Sequence, residues 1–120
     1  MDNSFSFKLH CSVRELERKL NNAYQKMQVE SINGIRSTAQ YAVSISGRTA
    51  VLSPFLYQVD IYIWADNGEN VTLEIKPIGD GGSKFIRTSL DQEYGVYREL
   101  RSSKKKAKKL IELLGLKYPM

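Results

Sequence analysis

Tyr57 to Lys76 reads YQVDIYIWADNGENVTLEIK. Its apolar residues recur at every second position: Tyr57, Val59, Ile61 and Ile63, then Val71, Leu73 and Ile75. Successive side chains of a strand point to opposite faces, so this period builds two strands with one apolar face each. Asp66-Asn67-Gly68 lies between the two runs. Asn-Gly in that position predicts a tight hairpin turn with positive φ at its central residues. An antiparallel pair with one apolar face needs a covering layer, which the flanking sequence has to supply.

Upstream, Phe5, Phe7 and Leu9 alternate with polar residues and predict another strand. Ser12 followed three positions later by Glu15 is a capping-box pattern. Val13, Leu16, Leu20, Ala23, Tyr24 and Met27 then fall on one stripe and predict a helix from about Ser12 to Glu30. Asn33-Gly34 predicts the end of that helix or the loop after it. Tyr41, Val43 and Ile45 predict a strand, and Gly47-Arg48 a turn. Thr49 to Leu52 predict a short continuation cut off by Pro54.

Downstream, Gly79-Asp80-Gly81-Gly82 predicts a turn and Lys84 to Thr88 a strand. Tyr94, Tyr97 and Leu100 predict an irregular helical segment. Ala107, Leu110, Ile111 and Leu114 predict a firmer helix from about Ser103 to Leu114, stopped by Gly115. The expected fold is α+β: an antiparallel sheet of about four to five strands with helices on one face, in the order β-α-β-β-β-β-α. This element order resembles the TATA-box-binding-protein-like and helix-grip architectures, in which a curved sheet wraps a helix. The resemblance implies a fold and no activity.

A chain of 120 residues and 13.7 kDa is expected to form one domain over residues 1–120. Cys11 is the single cysteine, which excludes an internal disulfide and fits a reducing compartment. The N-terminus lacks the layout of a signal peptide, and no apolar run has membrane-spanning length, so a cytoplasmic protein is expected. The net charge of +5 is uneven. Residues 98–120, a strongly basic C-terminal helical segment, hold eight basic and two acidic side chains, whereas the first 97 residues hold ten and eleven.

Chemical motifs are sparse. His10 and Cys11 are adjacent, and neighbours on a strand point apart, so they do not form a nucleophile–base pair. Asp60, Asp66, Glu69 and Glu74 share the hairpin without the spacing of a metal site. Gly79 to Lys84 lacks the residue order of a phosphate loop and precedes a strand rather than a helix. No catalytic residue, cofactor or metal is therefore expected, and an enzyme is the least supported class.

Two surfaces stand out. Tyr62 and Trp64 fall on the side of the hairpin opposite the apolar stripe, beside Asp60, Thr72, Glu74 and Lys76, and could form a protein or homodimer contact. Lys104, Lys105, Lys106, Lys108 and Lys109 crowd the start of the last helix opposite Ala107, Ile111 and Leu114. Like charges at i and i+4 repel, and cations near a helix N-terminus oppose its dipole. An anionic macromolecule would relieve both costs. The expected function is a non-enzymatic binding or accessory domain with no partner assigned. The alternatives are a nucleic-acid-associated protein that uses the lysine cluster, and a carrier of a small apolar ligand in a pocket lined by Tyr24, Met27, Tyr41 and Phe85.

Overall fold

The computed structural model describes residues 4–49, 55–79 and 97–117. The elements run β1 (Phe5–His10), α1 (Val13–Met27), β2 (Ser31–Gly34), β3 (Tyr41–Arg48), β4 (Phe55–Ala65), β5 (Asn70–Ile78), β6 (Tyr97–Arg98) and α2 (Leu100–Leu113). Five strands form an antiparallel sheet in the order β1-β5-β4-β3-β2, and β6 adds a short parallel pairing to β4. The fold is α+β, with the expected order of strands and helices.

The β4–β5 hairpin is the centre of the sheet. Ile61 pairs with Ile75 and Ile63 with Leu73, which places Val59, Ile61, Ile63, Val71, Leu73 and Ile75 on one face. Val59, Ile61, Ile63, Leu73 and Ile75 are fully buried there, beneath Leu16, Leu20, Ala23 and Tyr24 of α1 and Ala107, Leu110 and Ile111 of α2. Burying each such aliphatic side chain contributes about 1.5–3 kcal/mol. The two helices pack against each other as well as on this face.

The hairpin turn differs from expectation. The loop is four residues long, and Asn67 Oδ1 accepts from the backbone N–H groups of Glu69 and Asn70, both at 2.9 Å. Among the described residues only Gln28 and Gly115 have positive φ. The Asn67 side chain thus supplies the turn hydrogen bonds that a left-handed Asn-Gly pair would otherwise arrange through the backbone.

Helix α1 begins as expected. Ser12 Oγ accepts from the Glu15 N–H at 3.1 Å, and Glu15 Oε1 accepts from the Ser12 N–H at 3.3 Å. Such a cap contributes about 1 kcal/mol. The helix ends at Met27, three residues before Glu30. Gln28 adopts the left-handed conformation, and Val29 N–H reaches back to the Tyr24 carbonyl. Residues 31–34, expected as the end of the helix or the loop after it, pair instead with β3 as an edge strand. Glu30 secures the start of that strand: its N–H donates to the Ser46 carbonyl, and its carboxylate accepts from the Arg48 N–H and pairs with Arg48 Nε at 3.5 Å. Sheet pairing here overrides the helical stripe.

The tail also departs from expectation. Tyr97 and Arg98 are extended beside Phe55 and Leu56, not helical, and α2 starts at Leu100 rather than Ser103. Gly115 ends α2 at φ 75°. Its N–H bonds to the Glu112 carbonyl, and the Leu116 N–H bonds to the Ile111 carbonyl. Thr49 donates to the Phe55 carbonyl, whereas residues 50–52, the expected strand Lys84 to Thr88, and Tyr94 lie outside the described residues.

Two close contacts lock α2 to the sheet. Gln58 and Ile78 are cross-strand partners where β4 and β5 part. The fully buried Ser103 hydroxyl donates to the Ile78 carbonyl at 2.6 Å and accepts from the Gln58 N–H at 2.9 Å. At Gly79, an added Cβ would lie 2.5 Å from the Leu100 Cα.

Candidate functional site

The lysine cluster sits on a helix held in place from below. Ser103, Ala107, Leu110 and Ile111 are each fully buried, so the opposite arc of α2 must face outward. Lys105, Lys108 and Lys109 are exposed, and Lys104 and Lys106 half-buried. Lys106 Nζ lies 5.0 Å from the centroid of the Tyr57 ring, a cation–π distance. Tyr57 is itself set by its neighbour across the strands, because Gly47 leaves room for the ring at a point where a Cβ would come within 2.9 Å.

The first turn of α2 carries no carboxylate to offset its cations, and Glu99 precedes the helix without a side-chain cap to its backbone. Among the described residues, Arg101, Lys104, Lys105 and Lys109 make no ion pair. Glu112, positioned to meet Lys108 or Lys109, makes none either. Packing against the sheet therefore outweighs the repulsion and the adverse dipole, each of which costs only tenths of a kcal/mol.

The structure enlarges this surface beyond what the lysine run announces. Arg14, Arg18, Lys19 and Lys26 are exposed on α1, in the same layer. Together α1 and α2 carry ten cationic side chains against three carboxylates. The other side of the sheet and the β4–β5 turn carry Lys8, Arg48 and Lys76 against Asp60, Asp66, Glu69 and Glu74, and Arg48 is itself paired with Glu30. Two grooves cut the cationic layer. One of about 410 Å³ is lined by Leu100, Arg101, Lys104, Lys105 and Lys108. Another of about 310 Å³ is lined by Lys19, Asn22, Ala23 and Lys26 of α1 and by Leu113, Leu114 and Gly115 at the end of α2. The α1 contribution was hidden in the sequence because its cations are interspersed with Glu15 and Glu17.

Tyr62 and Trp64 lie on the opposite side of the sheet, as expected. Their rings stack with centroids 6.4 Å apart and planes 19° apart. Both are half-buried, and no described element covers them. Cross-strand pairing sets Tyr62 between Glu74 and Ala42, and Trp64 beside Thr72. Partial burial raises the Tyr62 pKa, and the charges of Asp60 and Glu74 add to the shift.

The remaining candidates come apart. His10 is exposed and its Nδ1 is 3.0 Å from Asn70 Oδ1. Cys11 packs against the core, and burial, then the nearby Glu15, raises its pKa and keeps the thiol protonated. Asp66 accepts from the Thr72 hydroxyl at 2.8 Å. Among the described residues no three His, Cys, Asp or Glu side chains gather closely enough to hold a metal ion. Of the expected pocket liners, Tyr24 is buried and its hydroxyl bonds to that of Tyr41 at 2.9 Å. Burial pushes the Tyr24 pKa well up, with Tyr41 adding to the shift. Met27 is half-buried against the core, and Phe85 lies outside the described residues. Of the Gly79–Lys84 segment only Gly79 is described, packed against the first residue of α2. No described helix is long and apolar enough to cross a membrane. The sequence matches no protein-family model, and no curated protein is similar to it.

Proposed function

We propose that this chain is a small, non-enzymatic binding or accessory domain of the cytoplasmic compartment that docks its two-helix layer on a nucleic-acid backbone. The observation that carries the reading is the sorting of charge: ten cations against three carboxylates on the helices, with a carboxylate excess on the far side of the sheet and its turn. A surface held rigidly by a packed core and dense in lysine suits phosphate, which binds point charges without base recognition. Changing Lys104, Lys105, Lys106, Lys108 and Lys109 together to glutamine is expected to weaken nucleic-acid binding by at least ~10³-fold at low salt, measured by fluorescence anisotropy across a salt series. Absence of binding by the unaltered protein at low salt overturns the reading.

A second reading rests on the stacked Tyr62–Trp64 pair, which offers a protein partner or a second copy an aromatic anchor. It predicts self-association or partner capture that Trp64→Ala weakens by ~10-fold or more while leaving the urea midpoint in place. Equal association by the variant removes this reading. A carrier of apolar ligands has less support, because Leu20, Ile45, Ile61, Leu73 and Leu110 are all fully buried, leaving no water-sized space against them.

A further inference from the structure

Resting on the nucleic-acid reading, we infer that the partner is a duplex, held through both of its backbones by cations of α1 and α2 together, without sequence readout. The first ground is the breadth of the surface. Packed helices have axes about 8–10 Å apart, so the two rows of cations form a plate and not a single furrow. Lys19 and Lys26 share a groove with Leu113, Leu114 and Gly115, so these α1 cations border the end of α2. Along α2, Arg101 to Lys109 spans about 12 Å at 1.5 Å per residue. A duplex, with about one charge per 1.7 Å of axis, offers phosphates at this density and on two flanks.

The second ground is the placement of the aromatics. Proteins that hold single strands line a positive furrow with successive rings on which bases stack. Here Tyr24 and Tyr57 are buried beneath the helices, and Tyr62 and Trp64 face the other way. Phe55 is exposed, but as a single ring at the start of β4. Among the side chains described, no two exposed rings adjoin on the cationic layer. The third ground is residue type. Five of the six α2 cations are lysine. Reading a base edge favours bidentate side chains, above all arginine on guanine, whereas a lysine ammonium follows phosphate.

The test measures binding of the full chain to two unrelated duplexes of about 20 base pairs and to the corresponding single strands, from roughly 50 to 200 mM salt. The Lys19→Gln/Lys26→Gln and Lys105→Gln/Lys109→Gln double variants are compared, with circular dichroism confirming that each is folded. The inference expects tighter binding to duplex than to single strand and equal affinity for the two sequences within about twofold. It also expects each double variant to lower the log–log salt slope by about 1–2. Tighter binding to single strands, or an unchanged slope in the α1 variant, overturns this inference while leaving the nucleic-acid reading intact. No binding to either form at low salt overturns both, as does binding only to vesicles containing phosphatidylserine.

Discussion

Ser103→Ala is expected to destabilise the fold by about 2–4 kcal/mol, because each buried polar group left without its partner costs about 1–3 kcal/mol. The hydroxyl serves two such groups, both part-buried. It accepts from the Gln58 N–H and donates to the Ile78 carbonyl, and the side chain is fully buried. Gln58 and Ile78 are cross-strand partners, so the serine of α2 stands where the two strands would otherwise bond to each other. Urea unfolding should show a lower midpoint at unchanged slope, since the surface exposed on unfolding is nearly the same. A loss below about 0.5 kcal/mol would show that the strands close on each other once the hydroxyl is gone, and that the bridge is dispensable.

Gly79→Ala is expected to cost about 3 kcal/mol, at the upper end for overpacking. The added Cβ would lie 2.5 Å from both the Cα and the Cβ of Leu100 and 2.6 Å from its nitrogen. These are mostly backbone atoms, so no rotamer change can make room. The start of α2 has to lift away from β5, and the Ser103 bridge, about five-sixths of a turn further on, lifts with it. Hydrogen exchange distinguishes this from general loosening. The Ser103 N–H, which bonds to the Glu99 carbonyl at 2.9 Å, should lose protection before the amides of Ile61 and Leu73 do. Uniform loss across the sheet, or none, would contradict the docking role given to Gly79.

Most of the frame was legible because burial writes a period into the chain. The alternation from Tyr57 to Ile75, the Ser12–Glu15 box and the stripe on α1 each name an element and its inward face. What escaped was set by partners distant in sequence. Ser31 to Gly34 has no strand pattern of its own and is extended because β3 offers it backbone hydrogen bonds. Tyr97 and Arg98 likewise borrow their conformation from Phe55 and Leu56. Ser103 reads as an ordinary polar residue at a helix start, yet the tertiary fold gives it two backbone partners. The candidate site shows the same division. The lysine run was visible as a cluster, and Tyr62 and Trp64 were correctly set on the far face. That α1 adds four exposed cations beside α2 depends on how two helices far apart in the chain pack, which no local pattern states.

The sorting of charge between the helical layer and the opposite side of the sheet also bears on kinetics. Separated charge of this kind is an electric dipole, with its positive end on the helices. In the field of a polyanion such a dipole experiences a torque before any contact forms. Preorientation of this sort speeds association by about 10- to 10³-fold at low ionic strength, and salt abolishes it within a Debye length of about 10 Å at 0.1 M. A polyanion would therefore be met helices first, with the Tyr62–Trp64 face turned outward to the solution.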